Sequence, residues 1–376
     1  MTMLYLYIAC ILTALVAALM NPFLRLRLKQ QKEEPPGEIP PVSIIMLSDR
    51  DANKLDQRLD AVLAQSYEQP FEVIVITEKS DSEVQDVLKR RASDKRIRST
   101  FVPLSSRYMS RPKLAVTLGV KAAQYKWIVL LDANTKPQSS KWLQKMALHM
   151  TDGKNIVMGY SNYGVEDSKV YHRFERLSTA AYLLRRAQRG LPYRANSTNF
   201  AFRKSDFIRE DGYRGNLQFA RGEFDFLINK FARKGGSAIE ISPETMTTET
   251  GPYSKQWRDT HLSYLYHQRF LKRWLPMHTL STLDQLVLHL TYWFLIVAMV
   301  YGFITRQWPL AITATTSLLL LIVLRMWLAY RVNRVFQAHL PVAMLPFLEV
   351  SLAWHRVWFR FRLLFADKLD FTSHRL

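Results

Sequence analysis

The sequence predicts an α/β fold, in which a mostly parallel sheet carries helices on both faces, joined to apolar helices near the two ends of the chain. Short, nearly continuous apolar runs alternate with segments of helical periodicity between residues 42 and 131. Such runs are typical of parallel strands that are buried on both faces. Long apolar runs at residues 4–20 and 283–330 are of the kind that crosses a lipid bilayer. We therefore expect one α/β domain between two membrane-associated regions.

The first element is an uncharged run from Leu4 to Met20, which approaches bilayer length when its flanks are counted. Basic residues follow this run but do not precede it, namely Arg25, Arg27, Lys29 and Lys32. A cleaved signal peptide would carry its positive charge first. The positive-inside rule therefore predicts an N-terminal transmembrane anchor and basic flank over residues 1–32, with the next domain in the cytoplasm. A buried core helix is the alternative.

A proline-rich linker at residues 33–41 is expected to separate the anchor from the α/β domain. The elements that follow have the order β-α-β-α-α-β. In chain order they are the strand "VSIIML", the helix "KLDQRLDAVLAQS", the strand "FEVIVIT", the helices "SEVQDVLKRR" and "LAVTLGVKAAQ", and the strand "WIVLLD". Ligands of such sheets bind beyond the carboxyl ends of the strands.

Polar residues follow these three strands at the point where each strand ends. The three segments are Ser48-Asp49-Arg50-Asp51, Thr77-Glu78 and Asp132-Ala133-Asn134. Because the carboxyl ends of parallel strands lie at one edge of a sheet, we expect these segments to border one crevice. Their acids suit a base and ribose, or a divalent cation held by oxygen ligands. Each segment taken alone also fits an ordinary turn or helix cap.

Two apolar runs near the other end, Leu283 to Ile304 and Leu310 to Tyr330, are separated by only a few residues. A connection this short predicts a transmembrane hairpin, which we place at residues 283–335. Two arginines follow the second run, whereas Arg306 alone lies in the connection. This charge distribution again places the middle of the chain in the cytoplasm.

The segments on either side of the hairpin mix basic and aromatic residues. Residues 264–282 precede the hairpin, and an amphipathic tail at residues 336–376 follows it. The tail contains "LAWHRVWFRFRLLF", in which arginines stand among Trp and Phe residues. This composition predicts helices that lie in the plane of the membrane interface. A third span packed against the hairpin is the alternative for the tail.

The chain of 376 residues has a formal net charge of +20. Such a charge indicates an anionic partner. No nucleic-acid-binding motif is found, and the transmembrane runs argue against that class. We therefore assign the charge to anionic membrane lipids and to anionic ligands. A single cysteine, Cys10, excludes an intramolecular disulfide.

The order of these features resembles the membrane-bound bacterial family 2 glycosyltransferases, which have the GT-A fold. "VSIIMLSDRDANKLDQRLDAVLAQSYEQPFEVIVITE" is similar to the first nucleotide-binding unit of that family. "SRPKLAVTLGVKAAQYKWIVLLDAN" resembles its lysine-containing helix and the Asp-x-Asp motif that follows. "YRANSTNFAFRKSDFIREDGYRG" and "ARGEFDFLINKFARKG" resemble its acceptor-side segment and the segment that carries its catalytic base. The resemblance covers about residues 41–263, the anchor and the hairpin.

The resemblance implies a cytoplasmic GT-A domain over residues 42–263 that moves a hexose from a nucleotide-sugar, most simply a UDP-sugar, with inversion. The leaving nucleoside diphosphate needs compensating positive charge. A weakly bound divalent ion, Mg²⁺ or Mn²⁺, would be held by Asp132 and Asn134. The nucleotide-sugar would contact Asp51, Glu78, Arg111, Lys113 and Asp132. For Arg111 and Lys113, a solvated start of a helix is the alternative.

The attacking hydroxyl needs a general base in line with the anomeric carbon. The resemblance places this base in "GEFD", where we expect Asp225, with Glu223 as the second choice. Acids favoured by the dipole of a helix N-terminus are the alternative. The acceptor side would include Asn199, Trp257 and Arg258. The acceptor would be lipid-linked, a glycan or otherwise close to the membrane.

Three positions depart from the pattern of the family. Thr77 and Asn134 stand where the family carries acids, and Phe224 separates the two acids of the base segment. An amide oxygen ligates Mg²⁺ or Mn²⁺ without adding charge, so we expect weak metal binding.

These departures leave open the alternative that the protein is a catalytically degraded scaffold. A processive polysaccharide synthase is the other alternative, although the Gln-x-x-Arg-Trp motif of those enzymes is missing. The expected location is the bacterial inner membrane, as a multi-pass protein of cell-envelope polysaccharide biosynthesis.

Overall fold

The computed structural model describes residues 2–27, 38–48, 51–103, 109–132, 134–195 and 197–372. Several sequence predictions lie partly outside these residues. The parts concerned are residues 33–37 of the linker, Lys29 and Lys32 of the basic flank, Asp49, Arg50 and Ala133 at the strand ends, and residues 373–376 of the tail.

The described residues form ten strands and twelve α-helices. The strands are β1 (Val42–Leu47), β2 (Phe71–Glu78), β3 (Ile97–Val102), β4 (Trp127–Leu131), β5 (Thr135–Pro137), β6 (Ile156–Met158), β7 (Ser161–Tyr163), β8 (Phe200–Arg203), β9 (Ser237–Ile239) and β10 (Thr247–Glu249). The helices are α1 (Thr2–Leu19), α2 (Ala52–Leu63), α3 (Ser82–Arg90), α4 (Arg111–Ala122), α5 (Trp142–Ala147), α6 (Val170–Gln188), α7 (Lys204–Arg209), α8 (Glu223–Phe231), α9 (Ser254–His267), α10 (Trp274–Ile304), α11 (Trp308–Val335) and α12 (Leu345–Leu364).

Seven of the strands form a central sheet in the order β3-β2-β1-β4-β8-β6-β9. The first four strands of this order run parallel to one another, and β6 is parallel to β9. Only β8 runs antiparallel to its two neighbours. The predicted α/β fold with a mostly parallel sheet is therefore confirmed.

Within residues 42–131, which the predicted order of elements covers, one strand was missed, β3; the later strands β6, β8 and β9 were not part of that prediction. Strand β3 lies at the edge of the sheet and pairs only with β2. Its sequence "IRSTFV" is half polar, and most of its residues are partly or fully exposed. An edge strand that is exposed in this way lacks the apolar run by which the buried strands were recognised.

The core has two layers because successive side chains of a strand point to opposite faces of the sheet. Ile45 and Leu47 of β1 pack with the apolar residues of α4, α6 and α8. Ile44 and Met46 pack on the other face with those of α2, α3 and α5. Helices therefore cover both faces, as predicted, and leave the carboxyl ends of the parallel strands as an open edge.

A small second sheet extends the region beyond the carboxyl end of β4. In this sheet β10 lies between β5 and β7. The hydroxyls of Ser161 and Thr247 are 2.6 Å apart across β7 and β10. The backbone N–H of Thr250 donates to the carbonyl of Asn134 at 3.2 Å. The turn after β4 is thereby held against the end of β10.

Helices α10 and α11 form the predicted apolar hairpin. The stretches His278–Ile304 and Trp308–Val335 are each long and apolar enough to cross a membrane, by length and composition. Large apolar side chains are exposed on their outer faces, such as Trp293 at 65% and Leu320 at 64%. An apolar surface of this kind needs a lipid or protein neighbour.

The N-terminal helix α1 has 18 residues, which is about 27 Å at 1.5 Å per residue and therefore short for a full span. Cys10, Ala14, Ala17 and Ala18 on one face of α1 are buried against α10 and α11. Small residues let helix backbones approach closely, so α1 completes a three-helix bundle with the hairpin. The anchoring role of α1 stays a prediction.

A buried ion cluster joins this bundle to α12. The guanidinium of Arg325 on α11 is bonded to Glu349 of α12 at 2.6 Å and 2.9 Å, and it lies 3.3 Å from Asp284 of α10. It also donates to the carbonyl of Ala17 at 2.5 Å. The side chain of Arg325 is 1% exposed. One cation thus connects four helices in a region from which water is excluded.

The predicted interfacial segment at 264–282 contains parts of several helices, and its place in the membrane interface stays a prediction. Its first residues end α9, a short 3₁₀ helix follows at Gln268–Phe270, and α10 begins at Trp274. Helix α10 thus begins before residue 283, because its apolar pattern starts later than the helix itself. The tail forms α12, which contacts α6, α9, α10 and α11. Its position in the membrane interface stays a prediction.

Candidate active site

The three polar strand ends lie side by side at one edge of the sheet. Strand β1 pairs in parallel with both β2 and β4, so the residues after these strands are neighbours, as predicted. Asp51 caps α2 by accepting the backbone N–H of Lys54 at 3.0 Å. This hydrogen bond is the largest cause that lowers the pKa of Asp51, so its carboxylate is ionised at neutral pH.

The start of α4 is attached to this edge. Arg111, the first residue of α4, forms an ion pair with Glu78 at the end of β2, with a distance of 2.5 Å. Arg111 is 41% exposed and therefore accessible to a ligand. The pair places a cation and an anion beside the strand ends where the sequence predicts the nucleotide-sugar.

Lys113 does not share this accessibility, and this corrects the expectation that it contacts the diphosphate. Its side chain is fully buried, and its ammonium donates to the carbonyls of Asn216 and Phe219 at 2.5 Å and 2.6 Å. Burial lowers its pKa to about 8, although the charge of Glu223 opposes this shift. Lys113 therefore holds the segment before α8 against α4.

The two candidate base residues begin α8. Gly222, which precedes them, has a φ of 89°, and a side chain there would collide with His267 at 2.8 Å. Burial raises the pKa of Glu223, and its Oε2 atom has no hydrogen-bond partner among the described residues. Glu223 therefore favours its neutral form more than an exposed glutamate does.

Asp225 has a different environment. His267 Nε2 lies 3.4 Å from one of its carboxylate oxygens, and Arg194 lies 3.6 Å from the other. The guanidinium of Arg194 also stacks on the ring of Tyr264, 4.0 Å from its centre. The side chain of Asp225 remains 13% exposed. Its position is thus fixed by two basic groups while part of the carboxylate stays accessible.

Next to Asp225 is a cavity of about 250 Å³ between α6, α9, α10 and α12. Arg194 lines this cavity and so connects it to Asp225. Arg176 also lines it and pairs with Glu249 of β10 at 2.7 Å, beside the turn of Asn134. The cavity therefore lies between the candidate base, the second sheet and the C-terminal helices α10 and α12.

One acid lines this cavity among the described residues, Glu175 of α6. Its two oxygens bind His261 Nε2 at 2.6 Å and Trp257 Nε1 at 3.1 Å. Burial favours the neutral acid, but His261, Arg356 and Trp257 outweigh it and lower the pKa of Glu175. Burial also opposes the charged form of His261, yet Glu175 raises the pKa of this histidine. The two groups form an ion pair in the wall of the cavity.

Comparison with known proteins identifies the domain that contains the strand ends. Residues 43–210 match the family model described as glycosyl transferase family 2. This segment is a family 2 glycosyltransferase domain. The match includes β1, β2 and β4 with their polar ends, and it stops before α8 and the apolar helices α10 and α11.

Comparison with solved structures identifies proteins of similar fold. The mannosyltransferase PcManGT from Pyrobaculum calidifontis, in complex with GDP-Man and Mn²⁺, is similar with a TM-score of 0.53 and 14% sequence identity. The similarity covers 89% of this chain and 99% of that one, and it shows a shared GT-A fold. TarS of S. aureus has a TM-score of 0.43 and 11% identity, over 64% of this chain and 42% of TarS. A sequence search of curated proteins finds no match.

Asn199 lies in the core of the glycosyltransferase domain, which corrects its predicted place on the acceptor side. It is 1% exposed. Its amide accepts from Trp142 Nε1 at 3.0 Å and donates to the carbonyls of Tyr160 and Thr245 at 3.0 Å and 2.8 Å. Three hydrogen bonds leave the amide satisfied, so Asn199 supports the fold and has no contact to offer an acceptor.

The other two residues predicted on the acceptor side, Trp257 and Arg258, have different surroundings in the structure. Trp257 lines the cavity and stacks on His172, with ring centres 4.6 Å apart. Arg258 points elsewhere, because it pairs with Asp259 at 3.0 Å and is absent from the cavity lining. Trp257 therefore remains a candidate acceptor contact, whereas Arg258 loses the structural basis for that role.

Most of the side chains around Asp225 and the cavity were not predicted from the sequence. Arg194 and His267 come from a loop and from the end of α9, and neither has a motif of its own. Helix α6 contributes Glu175 and Arg176, and its sequence "HRFERL" places several charged residues in a helix with ten buried positions. Charged residues at helical spacing with buried positions were the one sign of this site in the sequence. Such residues indicate a polar site because buried charges require partners.

The side chains of the residues that the structure describes do not preform a metal site. Among the described residues, no group of three His, Cys, Asp or Glu side chains is placed to hold a metal ion. The turn after β4 still offers one carboxylate at Asp132 and one amide oxygen at Asn134. Two hard oxygen donors fit Mg²⁺ or Mn²⁺ when a ligand's diphosphate supplies further oxygens.

Proposed function

We propose that this protein transfers a single hexose from a nucleotide-sugar to an acceptor held at the cytoplasmic face of a bacterial inner membrane, with inversion at the anomeric carbon. The position of Asp225 carries this proposal. It lies at the start of α8, a helix that packs against α4, and the first residue of α4 pairs with Glu78 at the strand ends. Arg194, the partner of Asp225, lines the cavity walled by α10 and α12. A base there can serve an acceptor that approaches from the membrane.

The residues at the strand ends would bind the donor. Asp51, Glu78 and Asp132 supply carboxylates for the base and ribose, and Arg111 supplies a cation beside the diphosphate. Asp225 would accept the proton of the attacking hydroxyl as the bond to the anomeric carbon forms. Arg194 and His267 would hold its carboxylate in position.

Asp132 and Asn134 would hold a divalent ion against the diphosphate. Bound there, the ion would offset negative charge on the leaving nucleoside diphosphate. The Mn²⁺ in the similar mannosyltransferase structure supports a metal-dependent reaction. Because the amide of Asn134 brings no charge, the protein's own contribution to metal affinity is small, and the diphosphate supplies much of the rest.

Replacing Asn134 by Asp is expected to tighten Mn²⁺ binding about tenfold or more in the presence of UDP or GDP, since a second carboxylate adds charge to the metal site. Isothermal titration of Mn²⁺ into the nucleotide-bound protein measures this effect. Asn162→Asp, on β7 of the same small sheet, is a control that changes the charge equally. Unchanged Mn²⁺ affinity in Asn134→Asp would leave Asp132 as a nucleotide contact or a turn residue.

The central test of the proposed function is donor hydrolysis by the purified full-length protein across UDP- and GDP-linked hexoses. The GDP-Man in the similar structure is the reason to include both bases. We expect slow hydrolysis of one donor in the presence of Mn²⁺ and its acceleration by membrane extracts that contain the acceptor. Absence of nucleotide binding at every metal concentration would instead favour a degraded scaffold. Long products in a polymer-length assay would indicate a processive synthase.

A further inference from the structure

The cavity between α6, α9, α10 and α12 contains more cations than its neighbouring acids neutralise. Arg176 is paired with Glu249, Arg194 with Asp225, and His261 with Glu175. These pairs involve Glu175, which lines the cavity, and the two acids whose arginine partners line it. Two further arginines of α12 line it, Arg356 and Arg360.

Neither of these two arginines forms a close ion pair with a carboxylate among the described residues, although Arg356 is near enough to Glu175 to lower the pKa of this acid. Arg356 is half-buried and donates from Nη1 to the hydroxyl of Ser281 at 2.5 Å. Arg360 follows one helical turn later and is exposed. Residues four apart lie on the same face of a helix, so both guanidinium groups reach the same side of the cavity. A guanidinium fork binds phosphate oxygens in a bidentate manner.

The opposite face of α12 is apolar and exposed. Trp354 is 63% exposed, Trp358 is 51% exposed and Phe361 is 53% exposed. Leu283 and Leu286 of α10, next to the part of α10 that lines the cavity, are also about half exposed. An amphipathic helix of this kind suits a membrane interface, with its arginines at head-group level. With α12 at the interface, the cavity lies at the level of the lipid head groups, so a head group can enter it from the bilayer.

We propose that this cavity binds the phosphate of a lipid-linked, hydroxyl-bearing acceptor, with Arg356 and Arg360 as the phosphate contacts. The inference rests on the proposed function and specifies its acceptor. About 250 Å³ accommodates a head group but not an alkyl chain, which stays in the membrane beside α10 and α12. Trp257 and Tyr264, which line the cavity, provide aromatic surface beside a sugar or polyol between the phosphate and Asp225.

The reaction is balanced with this placement. The acceptor hydroxyl oxygen forms a bond to the anomeric carbon while the bond from that carbon to the diphosphate oxygen breaks. The hydroxyl proton passes to Asp225, and the nucleoside diphosphate leaves with the electron pair of the broken bond. The phosphate in the cavity takes no part in bond exchange and fixes the position of the acceptor.

Binding of dioctanoyl phosphatidic acid to the detergent-solubilised full chain tests this inference, with dioctanoylglycerol as the matched lipid without phosphate. We expect measurable binding of the phosphatidic acid, at least about tenfold weaker binding of dioctanoylglycerol, and weak binding of inorganic phosphate. The double variant Arg356→Gln/Arg360→Gln is expected to lose about tenfold or more in affinity for the phosphatidic acid alone. The double variant to Lys should recover part of this loss.

Arg334→Gln/Arg362→Gln is the control, because it removes the same charge from exposed positions outside the cavity lining. An equal loss of affinity for phosphatidic acid in this control would show that general surface charge causes the effect, and it would overturn the inference. Equal binding of the two dioctanoyl lipids by the unaltered protein would also overturn it, whether or not the variants fold. Competition by UDP or GDP would assign the cavity to the donor instead.

Nucleotide binding and donor hydrolysis are measured on the same preparations. If these persist while the phosphatidic acid does not bind, the acceptor inference fails and the proposed function stands. If the lipid binds and no nucleotide does, the cavity is a lipid site and the proposed function fails.

Discussion

Replacing Asp225 by Asn is expected to lower the rate of sugar transfer about 10²- to 10⁴-fold while nucleotide binding remains unchanged. A positioned general base contributes a rate factor of this size, and an amide cannot accept the hydroxyl proton. The substitution keeps the size of the side chain and the proximity of His267 and Arg194. Initial rates with the identified donor and acceptor, together with calorimetric titration of the nucleotide, measure the two properties separately.

Two further variants decide whether this effect belongs to Asp225. Asp259→Asn on α9 removes an equal charge from a residue that pairs only with its neighbour Arg258 in the described structure, and it should retain full activity. Glu223→Gln tests the second candidate base. Loss of transfer in Glu223→Gln with retained transfer in Asp225→Asn would move the base to Glu223, whose raised pKa would then serve to accept a proton near neutral pH.

Replacing Arg325 by Met is expected to lower the free energy of unfolding by about 3–5 kcal/mol, because it leaves Asp284 and Glu349 buried without their cation. The two carboxylates are 2% and 10% exposed, so water cannot replace the lost partner. The contact between α12 and the hairpin should loosen. Thermal unfolding in one detergent, followed by tryptophan fluorescence, measures the change.

The triple variant Arg325→Met/Asp284→Asn/Glu349→Gln removes all three charges together and should recover most of the lost stability. This expectation follows because the cost arises from unpaired charge and not from the missing side chain. Arg331→Met, at an exposed position of the same helix, should change little. A normal melting temperature in Arg325→Met would show that the cluster does not hold the bundle together.

The sequence predicted the sheet and its open edge because both depend on local patterns. Buried strands such as β1, β2 and β4 are continuous apolar runs, and each ends in polar residues that remain visible in the sequence. The hairpin was predicted for a similar reason, since length and apolar composition suffice. Strand β3 was missed because an exposed edge strand lacks such a run.

The roles of single residues were less predictable. Lys113 and Asn199 are polar residues within segments that resemble functional motifs, yet both are buried with their hydrogen bonds directed at the backbone. Nothing in the sequence distinguishes a lysine that binds a ligand from one that binds two carbonyl groups of its own chain. The difference depends on whether another segment, here residues 216–219, covers the side chain.

Local sequence therefore established the α/β class, the polar strand ends and the apolar helices, since each of these follows from periodicity and composition. The environment of Asp225 and the basic cavity required the folded chain. Arg194, His267 and Arg356 belong to separate elements that are far apart in sequence, and they meet because α9 and α12 pack beside α6. Electrostatic contacts at a few ångströms depend on this packing, which no short stretch of sequence encodes.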